Sequence, residues 1–332
     1  MISEEQITAI LEAFAVGDAM GMPTEFMTRT EIVSSIGQVI GLLDSSLSVH
    51  HADLPAGSVT DDTEQTLYLL DRYLEKGVSI ASTVEGLLSW IEESDAIAKR
   101  YIGPSSLKAL QAIKNGIDPK EAGKNGTTCG GLMRSLAPVL YAASHDLNLA
   151  EMLELVVVCL IPTHYTSQAL EAACAYAAAV YAALREDSSV EKILDAAIEG
   201  GMYGVSKAPF LACSASSVAR LQFATEFLKT KPSEKAVLDF LFSVIGTGLP
   251  SADVFTAVMT LFLYAPGNTF ESICLAASVG GDTDTIAALV GGLNRAYNPH
   301  SEIPQSILER VYEVNNLAIQ HIASRLIDTR KE

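Results

Sequence analysis

Apolar residues recur at helical spacing along almost the whole chain, and this pattern constrains the fold more than any other feature of the sequence. Ile7, Ile10, Leu11 and Phe14 lie on one face of an amphipathic helix predicted over 4–20. Strand signals are weak, and short strands do not alternate with helices, which argues against a parallel-sheet domain. The sequence therefore predicts an all-α fold.

The same spacing predicts further helices. They lie near 63–76, 81–93, 105–115, 130–143, 149–160, 165–186, 189–200, 215–230, 233–246, 251–264, 271–279, 284–297 and 303–326. From Leu170 to Leu184 the sequence is almost all Ala, Tyr and Val, so this helix is expected at the centre of the core. Gly37 to Leu43 fits a short strand or a loop. Because no linker, low-complexity tract or repeat interrupts the pattern, we expect one domain over 1–332, a large orthogonal helical bundle.

The charge balance argues against several classes of partner. The chain has 22 Lys and Arg against 40 Asp and Glu, a formal net charge of −18. Nucleic acids and anionic membrane surfaces would be repelled, so neither is expected as a partner. Five cysteines without a CxxC spacing, an acidic N-terminus and the absence of a long apolar run favour a cytoplasmic protein with reduced thiols. A monomer is the default expectation.

Two clusters of Thr and Asp open predicted helices about 220 residues apart. The first is Thr60 to Thr63 (TDDT), and the second is Gly280 to Thr285 (GGDTDT). Each cluster alone is typical of a helix N-cap, where acidic residues face the positive end of the helix dipole. If the fold brings the clusters together, four carboxylates converge and need a cation, for which oxygen ligands favour Mg²⁺ or Mn²⁺. The four belong to Asp61, Asp62, Asp282 and Asp284. The pattern alone leaves a two-metal site and two structural caps equally open.

A segment at the end of the first predicted helix carries two further acids. Gly17 and Gly21 are four residues apart, which allows another backbone to approach closely. Asp18 is a candidate carboxylate behind the metal ligands, and Glu25 is a candidate acid in an active-site loop. The alternative is a plain helix end followed by a turn, with Glu25 in solvent.

A glycine-rich segment and one histidine are weaker candidates. Gly126 to Gly131 precedes a helix, where backbone amides can hold phosphate, although the pattern favours an ordinary loop. Arg134 lies in an apolar run and suits either a buried carboxylate or a substrate. Thr163 is expected to cap a helix, with His164 as a structural residue bonded to a backbone carbonyl. Catalysis by His164 is the less favoured alternative.

The motifs and their order resemble those of the ADP-ribosylglycohydrolase family over roughly 4–305. The matching segments are Gly17 to Gly21 with Glu25, Thr60 to Thr63, Thr163-His164, Gly280 to Thr285 and Ile303-Pro304. The resemblance implies an all-α fold with a binuclear Mg²⁺ or Mn²⁺ centre at helix N-termini.

The resemblance also implies roles for individual residues. The implied metal ligands are Thr60, Asp61, Asp62, Asp282, Asp284 and Thr285. The implied substrate contacts are Asp18, Gly126, Gly130, Gly131, His164 and Gly281. Asp62 and Glu25 are the two candidates for the general base. The implied reaction is hydrolysis of the N- or O-glycosidic bond at C1″ of the distal ribose, which releases ADP-ribose from a protein or small-molecule acceptor.

One residue departs from the family pattern. Cys129 stands where the family usually has Asn in a Gly-Asn-Gly-x-x-Met-Arg segment. That segment is expected to line the ADP-ribose pocket, so the acceptor linkage, whether arginine, serine or ester, is left open by the sequence.

Two alternative functions remain. The first is a non-catalytic ADP-ribose-binding or crystallin-like relative, which intact metal loops disfavour. The second is another metal-dependent hydrolase of nucleotides or phosphoesters, which would turn over a generic phosphomonoester.

Overall fold

Helices supply the regular structure of the chain, and the all-α prediction is confirmed. The computed structural model describes residues 2–329, and within them no β-strand is present. The helices are α1 (Glu4–Gly21), α2 (Arg29–Ser35), α3 (Asp61–Lys76), α4 (Ile80–Glu93), α5 (Pro104–Lys114), α6 (Pro119–Ala122), α7 (Gly130–Met133), α8 (Leu136–Ser144), α9 (Leu149–Leu160), α10 (Ser167–Ala183), α11 (Val190–Ser206), α12 (Ser217–Leu228), α13 (Glu234–Phe240), α14 (Ser251–Tyr264), α15 (Thr269–Ala277), α16 (Thr283–Tyr297), α17 (Gln305–Val314) and α18 (Ile319–Asp328). None of the described helices is both long and apolar enough to cross a membrane.

Helix α10 lies at the centre of the core, as its apolar surface predicts. Every residue from Gln168 to Val180 is buried. The helix packs against α9, α11, α14 and α16. It is therefore the element around which the other helices assemble.

Glycines in α11 allow it to lie close to α10. A Cβ on Gly200 would lie 2.4 Å from the Cys174 carbonyl oxygen, and one on Gly204 would lie 2.2 Å from the Leu170 carbonyl oxygen. The helix predicted over 189–200 therefore continues past its glycines, because here they serve packing rather than termination.

The helix predicted over 130–143 is two helices, α7 and α8. Pro138 has no N–H to donate to the carbonyl of Arg134, four residues earlier, so the hydrogen-bond ladder is interrupted there. The chain instead turns at Arg134 and Ser135, with the Ser135 hydroxyl donating to the Leu132 carbonyl at 2.6 Å.

The helix predicted over 303–326 is also two helices, α17 and α18. The side-chain amide of Asn315 donates to the Val311 carbonyl at 2.7 Å, which satisfies the end of α17. It also donates to the Gly57 carbonyl at 2.8 Å, and its oxygen accepts from the Val59 N–H at 3.1 Å. These long-range bonds, invisible in local spacing, end the helix.

Between the first two predicted helices, where the spacing predicts none, the chain forms one α-helix, α2, and two short 3-10 turns, Met22–Thr24 and Ser45–Leu47. The Thr28 hydroxyl accepts from the Glu31 N–H at 3.2 Å, and the Glu31 carboxylate accepts from the Thr28 N–H at 2.7 Å. This capping box is the sequence signal that identifies the helix. Gly37 to Leu43 is a loop rather than a strand.

Helices α1 and α16 touch along the two glycines of the first motif. A Cβ on Gly17 would lie 2.2 Å from the Ala287 carbonyl oxygen, and one on Gly21 would lie 2.3 Å from the Thr283 carbonyl oxygen. The close approach predicted from their spacing is therefore present. It places the start of α16, which carries the second Thr/Asp cluster, beside the end of α1.

Substituting Gly17 with alanine is expected to lower the free energy of unfolding by about 3 kcal/mol, because the added methyl overlaps the backbone of α16. Urea unfolding of the wild-type and variant proteins measures the change. Gly41→Ala is the matched control, since no atom lies within 4 Å of its added Cβ, and it should change stability by less than about 0.5 kcal/mol. Equal stability of the two variants would contradict this account of the α1–α16 contact.

Candidate metal centre

The two Thr/Asp clusters lie side by side at the N-termini of α3 and α16. Thr60 and Asp282 occupy the N-cap positions, but neither side chain caps its own helix. Instead, the Thr285 hydroxyl lies 3.2 Å from Asp62 Oδ2 and 3.3 Å from Asp282 Oδ1. The interpretation of these clusters as two simple helix caps is therefore wrong.

Three carboxylates form a group that could hold a metal ion. One oxygen each from Glu25, Asp282 and Asp284 lie within 4.8 Å of one another, and all three residues are buried. No other group of three His, Cys, Asp or Glu side chains in residues 2–329 meets this spacing. The buried oxygens without a hydrogen-bond partner include Glu25 Oε2, Asp62 Oδ1, Asp282 Oδ2 and Asp284 Oδ1. A hard cation fits these acceptors, because a buried anionic oxygen without a partner is unfavourable.

The electrostatics of the cluster also favour a cation. Burial raises the pKa of Asp62 and Asp282 well above the ordinary aspartate range, and the charge of Asp284 raises both further. Burial raises the pKa of Asp61 well above that range as well. The pKa of Asp18 rises to about 7, first through burial and then through the charge of Asp284. A neighbouring divalent charge would let all these groups ionise at neutral pH.

Asp18 holds the start of α3 in place. Its carboxylate accepts from the Thr60 N–H at 3.0 Å and from the Thr60 hydroxyl at 2.8 Å. It also accepts from the Thr63 N–H at 3.1 Å and from the Thr63 hydroxyl at 2.6 Å. The fully buried Asp18 therefore orients the first cluster from behind.

Replacing Asp18 with asparagine is expected to weaken Mn²⁺ binding by about 10- to 100-fold, as when a group supporting metal ligands is lost. The amide nitrogen would face N–H and hydroxyl donors that need an acceptor. Titration of the metal-free protein with Mn²⁺ measures the affinity. Asp44→Asn is the matched control, because Asp44 caps an exposed turn through the Ser46 N–H. An unchanged Mn²⁺ affinity in Asp18→Asn would show that Asp18 does not support the metal ligands.

Glu25 is brought to the second cluster by backbone pairing. The Phe26 N–H donates to the Gly281 carbonyl at 2.7 Å, and the Gly281 N–H donates to the Met27 carbonyl at 2.9 Å. Gly281 has a φ of +86°, and a Cβ there would lie 2.1 Å from the Thr247 carbonyl oxygen. Only glycine suits this position, which places Gly281 in support of the Glu25 loop.

His51 is a site residue that sequence reasoning missed. Its Nε2 lies 3.4 Å from Glu25 Oε2, and its ring packs edge-on against Tyr101 with centroids 5.1 Å apart. Burial lowers the pKa of His51, while the charges of Asp284 and Asp18 act in the opposite direction. A single histidine in a long loop carries no spacing signal, so only the fold reveals it.

His51 and the carboxylates of the cluster line a cleft of about 280 Å³. Its acidic and hydroxyl side is formed by Glu25, Asp61, Asp62, Asp282, Asp284, Thr128 and Thr285. Its aromatic and apolar side includes Phe26, Tyr101, Ile102, Met133 and Leu249. A larger groove of about 530 Å³ between α3 and α18 lacks a convergent group of three metal-binding side chains among the described residues. The cleft is therefore the candidate active site.

Most of the predicted substrate contacts lie behind the cleft wall. Gly130 lines the cleft. His164 Nε2 lies 3.0 Å from the hydroxyl of the cleft residue Thr128, and a Cβ on Gly131 would lie 2.8 Å from the His164 Cβ. A Cβ on Gly126 would lie 2.8 Å from the His164 Cα. These glycines leave room for the histidine that supports Thr128.

Thr163 and Arg134 stabilise the cleft wall that contains Thr128 and Gly130. Thr166, not Thr163, caps α10, because the Thr163 hydroxyl accepts from Arg134 Nη2 at 2.5 Å and bonds His164 Nδ1 at 2.7 Å. The predicted backbone-carbonyl partner of His164 is therefore wrong. Arg134 also donates to the Gly130 carbonyl at 3.0 Å and forms no ion pair with a described carboxylate. Burial lowers the pKa of His164 well below its ordinary value, which favours a neutral structural imidazole.

Cys129 lies at the cluster itself. It is buried and lines the cleft, with Sγ 4.0 Å from the Thr285 hydroxyl. Burial and the charge of Asp282 raise the pKa of the thiol well above its ordinary value. The departure from the family's asparagine therefore places a neutral thiol next to the candidate ligands.

Comparison with known proteins decides the family. Residues 2–332 match the family model described as ADP-ribosylglycohydrolase. The chain belongs to the ADP-ribosylglycohydrolase family. An Escherichia coli K12 relative, described as "Uncharacterized protein YegU", is 28% identical over 331 residues, which cover 99% of this chain and 98% of the relative. An Archaeoglobus fulgidus relative, described as "Uncharacterized protein", is 30% identical over 295 residues, which cover 88% of each chain.

A solved structure confirms the fold of this ADP-ribosylglycohydrolase family member. It is described as "ADP-ribosylglycohydrolase-related protein complex" and superposes with a TM-score of 0.66 at 22% identity. The match covers 99% of this chain and 98% of that chain. The motif resemblance and the helical architecture therefore agree along nearly the full length.

Proposed function

We propose that this protein is a metal-dependent hydrolase that releases ADP-ribose from an ADP-ribosylated acceptor. The bond cleaved is the glycosidic bond at C1″ of the distal ribose. The supporting observation is the set of buried carboxylate oxygens without hydrogen-bond partners that three separate segments of the chain bring into one cleft. Membership of the ADP-ribosylglycohydrolase family supplies the substrate class.

Six residues of the two clusters would hold two ions of Mg²⁺ or Mn²⁺. They are Thr60, Asp61, Asp62, Asp282, Asp284 and Thr285. Carboxylate and hydroxyl oxygens are the ligands that these hard cations prefer. Bound ions of this kind orient sugar hydroxyls and lower the pKa of a bound water.

Glu25 and Asp62 are the candidates for the general base. Each has a buried carboxylate oxygen at the cleft that accepts no hydrogen bond. Burial raises the pKa of Glu25 well above its ordinary value, and the charge of Asp284 raises it further. A carboxylate with a raised pKa suits proton transfer near neutral pH. It would take a proton from the water that bonds to C1″ as the glycosidic bond breaks through an oxocarbenium-like state, and the departing acceptor would take up this proton.

The residues predicted to contact the substrate would not all touch it directly. Gly130 lines the cleft and is the one that we place against substrate. We assign Asp18, Gly126, Gly131, His164 and Gly281 to the support of cleft residues, because each packs against or bonds to the loops that form it.

The proposal is tested by measuring free ADP-ribose released from arginine-, serine- and ester-linked conjugates. Each conjugate is incubated with Mg²⁺, with Mn²⁺ and with EDTA. Release from one linkage in metal but not in EDTA is expected, and it would identify the acceptor. Turnover of a generic phosphomonoester without release from any conjugate would instead favour a phosphoester hydrolase. Binding of ADP-ribose without either activity would favour a binding protein.

A further inference from the structure

The charged residues that line the cleft are mostly acidic, although the proposed substrate is itself an anion. Five of the residues lining it are Asp or Glu, whereas Arg100 is its one Lys or Arg among the described residues. A diphosphate entering this cleft would be repelled by any carboxylate charge that bound cations leave uncompensated. A single cation at the right place would therefore have a large influence on diphosphate binding.

The backbone holds Arg100 in an uncommon conformation. Its φ is +60°, in the left-handed region that residues with side chains rarely adopt. The Arg100 N–H donates to the Ile97 carbonyl at 3.2 Å, and the Tyr101 N–H donates to the Ala96 carbonyl at 3.0 Å. Tyr101 is buried, and its hydroxyl donates to the Val59 carbonyl at 3.2 Å. Hydrogen bonds therefore hold this turn on both sides of Arg100. Strained backbone that its surroundings hold in place is common at functional sites.

The guanidinium of Arg100 has no partner within residues 2–329. No hydrogen bond or ion pair of its side chain is formed in the described structure, and the residue is exposed. The neighbouring Lys99, by contrast, lies 3.4 Å from Glu64 and over the ring of Tyr101. Arg100 is thus a cation held at the cleft and left available to a ligand.

We propose that Arg100 is a specificity-determining residue that binds the diphosphate of the substrate. The inference rests on the proposed hydrolysis of ADP-ribosyl conjugates. A guanidinium can donate two parallel hydrogen bonds to phosphate oxygens, which a lysine cannot do. The distal ribose then lies over the carboxylates while the diphosphate lies against Arg100.

The test compares an ADP-ribosyl conjugate with the matching ribosyl conjugate, which lacks both phosphates. In Arg100→Gln, KM for the ADP-ribosyl conjugate should rise about 10-fold or more, the effect of losing a charge-assisted pair, while kcat stays within about twofold. The kinetics of the ribosyl conjugate should not change. Arg100→Lys should retain part of the affinity, because it keeps the charge without the fork.

Lys108→Gln is the matched control. Lys108 is exposed on α5 and lies outside the cleft, so its substitution removes the same charge without removing a cleft residue. KM in this variant should equal that of the wild type. The assignment is overturned if KM rises similarly in Lys108→Gln or if KM is unchanged in Arg100→Gln. It is also overturned if Arg100→Gln raises KM equally for the ADP-ribosyl and the ribosyl conjugate.

Calorimetric titration with ADP-ribose separates this inference from the proposed function. If the wild-type protein hydrolyses no conjugate, the proposed function fails. Arg100 is then judged by the Kd of ADP-ribose alone. A Kd about 10-fold higher in Arg100→Gln supports its role in binding the diphosphate, and an unchanged Kd overturns it.

Discussion

Replacing Asp284 with asparagine is expected to lower the rate of ADP-ribose release by about 10³-fold. Asp284 lies within 4.8 Å of the carboxylate oxygens of Glu25 and Asp282, and its Oδ1 has no partner in the protein. Asparagine keeps the volume but removes the charge and one ligand oxygen. Rates at saturating Mn²⁺, together with the metal content of the purified variant, measure the effect.

Asp195→Asn is the matched control for this substitution. Asp195 is exposed on α11, away from the cleft, so the variant should retain wild-type activity and metal content. If Asp284→Asn keeps both its activity and its bound metal, the carboxylate cluster is not the catalytic centre.

The metal-free protein is expected to lose stability as the pH rises from about 4 to about 7. The pKa of Asp18 rises from 3.8 to about 7 on folding, mainly through burial. Between these values the unfolded chain has released the proton while the folded chain still binds it, so each pH unit costs the folded state up to about 1.4 kcal/mol. The melting temperature in EDTA should therefore be higher at pH 5 than at pH 8.

Metal binding is expected to reverse this loss. Saturating Mg²⁺ or Mn²⁺ at pH 8 should raise the melting temperature by about 5 to 10 °C, because the ions bind the folded state and offset the repulsion among carboxylates. At pH 5, where protons compete for the same oxygens, the rise should be smaller. A melting temperature in EDTA that increases from pH 5 to pH 8, or that metal does not change at pH 8, would contradict this account of the cluster.

The sequence predicts the parts of this molecule that depend on local spacing. The first helix, expected over 4–20, is observed as Glu4–Gly21. Its apolar face is buried in the core, and its glycines allow the close contact with α16. The two Thr/Asp clusters also meet as their resemblance to metal loops implies. Their roles as ligands stay predictions, as do the single domain and the monomer.

Features set by long-range contacts are the ones that the sequence does not reveal. Asn315 ends α17 by bonding a loop more than 250 residues away, and no local rule anticipates that bond. Arg134 donates through its two terminal nitrogens to carbonyl and hydroxyl oxygens rather than to a carboxylate. His51 and Arg100 occupy loops without periodicity, so their places at the cleft follow only from tertiary structure.

We expect metal held by the two clusters to make this chain an ADP-ribosyl hydrolase. A single Mn²⁺ titration of the metal-free protein tests this, with bound metal and ADP-ribose release measured on the same samples. We expect no release without metal, and release that rises with occupancy until two ions are bound per chain. Release that persists in EDTA, or full occupancy without release from any conjugate, would contradict the account.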